Sequence, residues 1–451
     1  MNGPEIVTLG CRLNAAESEA MRMLARGEDD LVIVNSCAVT NEAVRQTRQA
    51  IRKAKRLRPH ARVIVTGCAA QVEPETFAAM PEVSRVIGNR EKFQISSFRR
   101  RPESRGDKAE TFRPEIPAFA GMTDLAEIRV SDIMAVRETA PHLAAGFAER
   151  ARAFVEVQNG CDHRCTFCTI PYGRGNSRSV PAGLVVERIK ELVGQGFREV
   201  VLTGVDVTSY GPDLPGAPSL GQLIERILRH VPALPRLRLS SMDCIEMDER
   251  LFDIACHEPR FMPHLHMSFQ AGDDLVLKRM KRRHSRADAV ETVARLKAKR
   301  PDIAIGADLI AGFPTETDAM AENSLRLVAD CDIVMGHIFP FSPKKGTPAA
   351  RMPQVPPPLV KERARRLREA CAAQKRTWMQ NMVGTHQKVL VERDGQGHAE
   401  NFAPVQIRHA SAGWHPSGVS MDPSLRRGEG GEIVEVRIVA VEGSTLIGVP
   451  A

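Results

Sequence analysis

AFVEVQNGCDHRCTFC (153–168) joins an alternating apolar run to three closely spaced cysteines. AFVEV (153–157) reads as a strand, and the chain leaves it directly into a C-x3-C-x2-C loop of Cys161, Cys165 and Cys168. Downstream come five further strand candidates: EVVLT (199–203), RLRLS (236–240), PHLHM (263–267), IAIGADLI (303–310) and DIVMGHIF (332–339). Helical patterns separate them, as in AGLVVERIKELVGQG (182–196), where Val186, Ile189 and Val193 mark one apolar face. Six βα units predict a partial, open (β/α)6 barrel, whose chemistry belongs at the carboxyl ends of its strands. The cysteine triplet stands at the end of the first of them.

Upstream, EIVTL (5–9), LVIVN (31–35) and RVIVT (62–66) alternate with helical segments, the pattern of a parallel sheet in an α/β domain, here expected to be flavodoxin-like. Each strand runs into a cysteine, Cys11, Cys37 or Cys68. Open α/β sheets bind ligands at the carboxyl ends of their strands, so these three thiols are expected to converge. Beyond the barrel, a proline run (352–358) and a basic helix (361–376) lead to QKVLVE, APVQIR and GEIVEVRIVAVEGSTLIGV, a small all-β module. The expected division is therefore 1–98, a linker or insertion over 99–146, a barrel over 147–377 and the β module over 378–451. Residues 99–125 and 411–431 lack periodicity, and EIPAFAGMT and MDPSLRRGEG within them resemble translations of one palindromic repeat element in different frames. Both are expected to be insertions without a chemical role, so loss of activity on deleting either would refute that reading.

Length and composition bound the rest. At 451 residues, with 43% hydrophobic and 26% charged residues, the chain is a multidomain globular protein rather than a disordered or disulfide-stapled one. Lys plus Arg exceed Asp plus Glu by 63 to 55, a net +8 that favours a polyanionic partner. No apolar run is long enough for a transmembrane helix, and MNGPEIVTLGC has no signal-peptide pattern, so the expected location is cytoplasmic, away from membranes. In that compartment ten cysteines read as ligands or core residues rather than disulfides.

Three thiolates at this spacing suit a cubane of four irons and four sulfurs whose fourth iron has no protein ligand, and Phe167 precedes the last cysteine. A zinc knuckle is the alternative, but His163 inside the triplet is poorly placed as a fourth ligand. On these residues the chain resembles the radical S-adenosylmethionine superfamily. The resemblance implies that the open iron binds S-adenosylmethionine. It also implies that GADLIAGFPTE (306–316), with Gly306, Asp308, Gly312 and Glu316, runs along the adenine, and that LTGVD (202–206), with Gly204, lies near the methionine amino group. Ser240, Ser241, Gln270 and the basic run at Arg279–Arg283 end strands or open helices, and are further candidates around that cofactor. His264 and His266 read as core or cofactor-lining, and Cys244, Cys256, Cys331 and Cys371 as core.

TLGCRLNAAESEAM (8–21), VNSCAVTNEAVRQTRQAIR (34–52), VTGCAAQ (65–71), IPYGRGNSRS (170–179), HLHMSFQAGDDLVLKRMKRRH (264–284) and HIFPFSPKKGTPAARM (337–352) narrow the resemblance to the methylthiotransferases, over nearly the whole chain apart from the two insertions. It implies a second four-iron cluster on Cys11, Cys37 and Cys68 that presents the sulfur to be transferred. An aromatic C–H of adenine is neither acidic nor electrophilic, so general acid–base groups cannot activate it, whereas a carbon radical can. The implied reaction is electron transfer from the Cys161, Cys165 and Cys168 cluster to S-adenosylmethionine, hydrogen abstraction by a 5'-deoxyadenosyl radical, sulfur delivery to C2, and methylation by a second S-adenosylmethionine. TLGCRLN, NSCAVT, LTGVD followed by Tyr210-Gly211, and the segment from His337 are similar to the branch acting on N6-threonylcarbamoyladenosine beside the anticodon of tRNA. The isopentenyladenosine branch is the alternative, and a non-catalytic iron–sulfur RNA-binding protein is the rival of another class. Ala271, Thr315 and Phe341 depart from that pattern, standing where the family has Ser, Gly and Tyr.

For RNA, VRQTRQAIRKAKRLR (44–58) carries Arg45, Arg48, Arg52 and Lys55 on one helical face suited to phosphates. The β module resembles the TRAM-like RNA-binding domain of these enzymes. A base in an anticodon loop can be splayed into a partly open barrel at modest cost. The implied partners are tRNA and an electron donor such as flavodoxin or ferredoxin; the sulfur donor is left unassigned.

Overall fold

The computed structural model describes residues 3–99, 126–136, 151–408 and 431–451. The two candidate insertions lie outside these residues, apart from Arg99 and Gly431. The chain forms two compact units. One gathers the described residues through Val136 and, from further along the chain, Thr169–Gly175; the other holds residues 151–168 and the described residues from Asn176 onward.

The first unit is a parallel sheet of β1 (Glu5–Thr8), β2 (Leu31–Ser36), β3 (Arg62–Gly67), β4 (Arg85–Ile87) and β5 (Glu127–Arg129). The α/β reading holds, and the strands are ordered sequentially, without the exchange of the first two that flavodoxin-like sheets show. Alternation along the strands assigns the two faces. Val32, Val34, Val63 and Val65 pack with Val44, Ile51 and Ala54 of α2 (Asn41–Leu57), while Ile33, Ile64 and Ile87 pack with Met21 of α1 (Arg12–Leu24). Two short helices, α3 (Cys68–Val72) and α4 (Pro74–Ala78), follow β3.

Two boundaries differ from those expected. β5 falls inside the expected linker 99–146, because β4 needs an edge partner and takes Glu127–Arg129, with Arg85 Nε donating to Glu127 at 2.7 Å. Glu127–Arg129 is too short to show a period in sequence. Thr169–Gly175, which includes α5 (Ile170–Arg174), lies inside the expected barrel segment but belongs to the first unit.

In the second unit all six expected strands form: β6 (Arg152–Asn159), β8 (Glu199–Gly204), β9 (Arg236–Leu239), β11 (His264–Gln270), β12 (Ala304–Ala311) and β13 (Ile333–Pro340). They make two parallel arcs, β6-β8-β9 and β11-β12-β13, extended by antiparallel β7 (Arg178–Ser179) beside β6 and by parallel β10 (Ser241–Met242) beside β11. Leu265, Met267, Ile305, Ala307 and Leu309 face the helical layer of α6 (Ala182–Gly194), α7 (Leu220–His230), α8 (Glu249–His257), α10 (Arg286–Lys299) and α11 (Asp318–Asp330), with the short α9 (Asp274–Met280) between β11 and α10. Cys244, Cys256, Cys331 and Cys371 are in this core. The alternating residues His264, His266, Ser268, Gly306 and Asp308 face the barrel interior.

α12 (Pro357–Gln380) leads to a closed five-stranded barrel of β14 (His386–Arg393), β15 (Gln396–Ala399), β16 (Pro404–Ile407), β17 (Ile433–Glu442) and β18 (Thr445–Pro450), in the order 14-15-16-18-17. This module covers the amino-terminal ends of the large-barrel strands. Glu199 there lies 3.1 Å from Arg152, 2.8 Å from Arg238 and 3.7 Å from Arg236. Arg236 donates to the Lys388 carbonyl at 2.8 Å and Arg238 to the Glu400 carbonyl at 2.9 Å. Phe402 stacks on His264 and His398 and lies under the Arg152 and Arg238 guanidiniums. With that end covered, chemistry is left to the carboxyl ends of the strands.

Candidate active site

Two cysteine sets are built at strand ends, one in each unit. In the first unit Cys11 caps α1, Cys37 follows β2, and Cys68 opens α3 directly after β3. Their spread along the sequence is closed by the parallel sheet, and each thiol is within electrostatic reach of the other two. A Cβ on Gly10 would lie 2.8 Å from that of Cys37, so glycine there lets the Cys11 turn sit against Cys37. Burial, reinforced by Cys68, pushes the Cys37 thiol up to about 12. Metal ligation requires the thiolate, so a bound cationic centre must supply the stabilisation that burial withdraws.

That site also holds charged groups that the motifs did not announce. Arg174 on α5 donates through Nε to Cys68 Sγ at 3.1 Å and pairs with Glu17, and Lys92 lies 2.7 Å from the same Glu17. Lys92 and Glu17 are fully buried and Arg174 is 2% exposed. A guanidinium aimed at a sulfur matches a thiolate ligand better than a neutral thiol, so these residues fit an iron–sulfur centre held by three cysteines.

In the second unit Cys161, Cys165 and Cys168 follow β6 on a half-exposed loop, with Cys168 N–H donating to the Cys165 carbonyl. Gln158 anchors this loop. Its Nε2 donates to the Gly160 carbonyl at 2.8 Å and to Ser177, while its Oε1 accepts from the Val205 and Asp206 amides. Asp206 stands 3.7 Å from Cys161 Sγ and 2.9 Å from His163 Nε2. Hydrogen bonds to Asp206 and Glu246 raise the His163 pKa to about 10. Cys161, His163 and Asp206 are close enough to share a metal ion. Arg282, held by Asp243 at 2.7 Å and by the Ser268 carbonyl, reaches 3.9 Å from Cys165 Sγ. The ten cysteines all fall within the described residues, and none is in a disulfide.

The other candidates divide. Ser240 ends β9 with its buried hydroxyl unpartnered among the described residues, as a polar ligand would require. Gln270 ends β11 at φ +66°, a strained position of the kind functional sites hold. Gly204 ends β8, where a Cβ would come within 2.6 Å of the Gln158 carbonyl. Phe167 packs edge-on to Phe313, within an apolar cluster that includes Phe341 and Ala271. Gly306 makes room for His266, whose Nδ1 would lie 2.5 Å from a Cβ there. Asp308 lies 2.9 Å from His266 Nε2 and 3.2 Å from His337 Nδ1. Burial opposes ionisation of Asp308, but the two imidazoles outweigh it and hold its pKa well below the usual carboxylate range.

Glu316 and Gly312 are bonded to each other. Glu316 accepts from the Gly312 amide at 2.8 Å and from Arg363 of α12 at 3.0 Å, tying the turn after β12 to that helix. Thr315 in this turn has φ +65°, which explains why glycine suits the position. On α2, Arg45 is paired with Glu42, Arg52 stands 3.9 Å from Glu82, and Lys55 donates to the Ala61 carbonyl; Arg48 is half-buried. The sequence missed Gln158, Arg174, Lys92 and His337 as site residues. IPYGRG carried the only hint of Arg174, and Gln158 lies in no motif read from the sequence.

The family models matched are the Radical SAM superfamily over residues 155–328 and Uncharacterized protein family UPF0004 over residues 4–88. The chain is 49% identical over 405 residues to threonylcarbamoyladenosine tRNA methylthiotransferase MtaB of Rickettsia prowazekii, covering 89% of this chain and 91% of that protein. It is 34% identical to MtaB of Thermotoga maritima, covering 87% of each. A tRNA-2-methylthio-N(6)-dimethylallyladenosine synthase of Cereibacter sphaeroides matches at 32%, over 98% of this chain and 97% of that one. The chain belongs to the threonylcarbamoyladenosine tRNA methylthiotransferase family of radical S-adenosylmethionine proteins.

Proposed function

We propose that this chain adds a methylthio group to C2 of N6-threonylcarbamoyladenosine beside the anticodon of tRNA, using S-adenosylmethionine and two four-iron clusters. The observation that carries the reading is the identity of 49% to the Rickettsia methylthiotransferase, against 32% to the dimethylallyladenosine synthase. Cys161, Cys165 and Cys168 would hold the cluster that binds S-adenosylmethionine, and Cys11, Cys37 and Cys68 the cluster that supplies sulfur. Loaded in this way, the protein has a carbon-radical source for an aromatic C–H and a sulfur and methyl source to replace the hydrogen.

The chain's own residues then prepare the site. Gln158 fixes the cysteine loop against the Val205–Asp206 turn. Arg282 places a cation near Cys165, and Asp206 holds His163 beside Cys161. Ser240 and Gln270 offer polar groups at strand ends, and Asp308 anchors both His266 and His337. Arg45, Arg48, Arg52 and Lys55 meet phosphates, with the carboxyl-terminal β-barrel as the second RNA contact. Electrons come from a one-electron donor such as flavodoxin or ferredoxin. A cytoplasmic location follows from a tRNA substrate; separately, none of the described helices is long and apolar enough to cross a membrane.

The test is mass spectrometry of tRNA nucleosides from a deletion strain. The methylthio form of threonylcarbamoyladenosine should vanish; loss of only the isopentenyl derivative would reject the branch. Anaerobic reconstitution with S-adenosylmethionine and dithionite should release 5'-deoxyadenosine, and its absence would favour a non-catalytic iron–sulfur RNA-binding protein.

A further inference from the structure

Arg174 is an unusual tenant of the first unit. It is 2% exposed, and it shares the carboxylate of Glu17 with a second buried cation, Lys92. Burying two cations side by side is costly unless anions face them. Besides Glu17, Arg174 faces Cys68, whose Sγ accepts from Arg174 Nε at 3.1 Å. The rest of the guanidinium is fixed by Asn14 and by both oxygens of Glu17. The segment that delivers Arg174 is shaped for this approach. A Cβ on Gly173 would sit only 3.3 Å from that of Cys68, and Gly175 turns the chain away at φ +79°. Asn89 adds a hydrogen bond to the Gly173 carbonyl and another with Lys92, so the turn, the cation pair and the cysteine form one connected assembly.

We infer that Arg174 is a positioning residue for the centre held by Cys11, Cys37 and Cys68: its N–H···S bond and its charge hold Cys68 in place and raise the reduction potential of that centre. The inference rests on the reading that these three cysteines hold a cluster. The physical reason is that a donor and a positive charge beside a ligand sulfur stabilise the more electron-rich state of the metal centre. Glu17 and Lys92 serve to orient the guanidinium rather than to oppose it.

The test uses the full chain with Cys161, Cys165 and Cys168 all changed to Ala, reconstituted anaerobically, so that the remaining centre is read alone. Iron, sulfide and an EPR-monitored redox titration are measured with Arg174 intact and in Arg174→Lys and Arg174→Gln. About four irons are expected with Arg174 intact. Arg174→Gln should move the reduction equilibrium toward the oxidised form on the order of tenfold, about 59 mV for a one-electron couple, and Arg174→Lys by less, since charge remains while the N–H···S bond goes. An unchanged potential in both variants would overturn the inference. No iron with Arg174 intact would instead overturn the cysteine assignment, and the inference with it. Should the variants fail to fold, pulsed EPR of the Arg174-intact protein labelled with guanidino-15N arginine decides: a 15N coupling to the reduced centre is expected, and none would refute the contact.

Discussion

Replacing Glu199 with Gln removes the carboxylate that three buried guanidiniums share, leaving Glu392 on Arg152. Glu199 is 1% exposed in its side chain, Arg238 0%, Arg236 2% and Arg152 13%. Removing one partner of a buried ion pair costs about 3–5 kcal/mol, because the remaining charges are left uncompensated. At about 2–4 °C per kcal/mol for a unit of this size, the melting temperature should fall by roughly 6–20 °C. Acid supplies an internal check. Burial alone would raise the Glu199 pKa, but Arg238, Arg152 and Arg236 hold it below the usual range. Its stabilisation is therefore complete above the unfolded-state pKa of about 4.3 and is lost as pH falls through the lower folded value. The gap between wild type and Glu199→Gln, followed by urea denaturation, should be widest near neutrality and narrow in acid. Because Arg236 and Arg238 bind the Lys388 and Glu400 carbonyls, proteolytic cleavage between α12 and β14 should also accelerate. A destabilisation below about 1 kcal/mol at neutral pH would show that the three arginines are compensated by something other than Glu199.

Thr315→Gly should stabilise the chain by about 0.5–1 kcal/mol, since relief of the left-handed backbone outweighs the added freedom of the unfolded chain; a lower melting temperature would contradict this. Phe402→Ala removes two stacking partners and two cation–π interactions and should cost about 2 kcal/mol, with weaker tRNA binding; unchanged affinity would separate this cluster from RNA recognition. Changing Arg45, Arg48 and Arg52 to Gln should flatten the salt dependence of tRNA binding by about 0.7–0.9 in log–log slope for each phosphate that is no longer neutralised, and an unchanged slope would remove α2 from the interface. Asp308→Asn should lower 5'-deoxyadenosine yield on the order of tenfold at constant iron content, because His266 and His337 lose their shared anchor; a drop in iron instead would give Asp308 a role in cluster retention.

The legible parts of this molecule are those encoded over short distances in sequence. Cys161, Cys165 and Cys168 fall within one loop, and Cys11, Cys37 and Cys68 can be related because each ends a strand of a recognisable βα repeat. What stays hidden depends on partners far along the chain. Glu316 reads as a cofactor neighbour within its motif, yet its carboxylate goes to Arg363, which only the docking of α12 brings near. Arg174 sits in a segment that resembles a family motif, but its partners Glu17, Lys92 and Cys68 come from much earlier in the sequence. β5 escapes notice in a linker because a three-residue edge strand carries no period.

The placement of chemistry within the large barrel follows from the same alternation that reveals its strands. One set of residues on β6, β8, β9, β11 and β12 is apolar and is buried against the helices; the other carries most of the polar side chains of these strands, which are costly to bury unpartnered. At the amino-terminal ends that polar set is tied to itself and to the small barrel, as Arg152, Arg236 and Arg238 converge on Glu199, Arg152 also pairs with Glu392, and His264 lies under Phe402. At the carboxyl ends it is not: the Ser240 hydroxyl lacks a partner among the described residues, Gln270 is strained, and the loop after β6 presents three half-exposed thiols. Charge pairing at one end, and half-exposed thiols beside an unpartnered hydroxyl at the other, leave the ligand chemistry to the carboxyl ends. The residues there are those whose substitution should change chemistry before it changes stability.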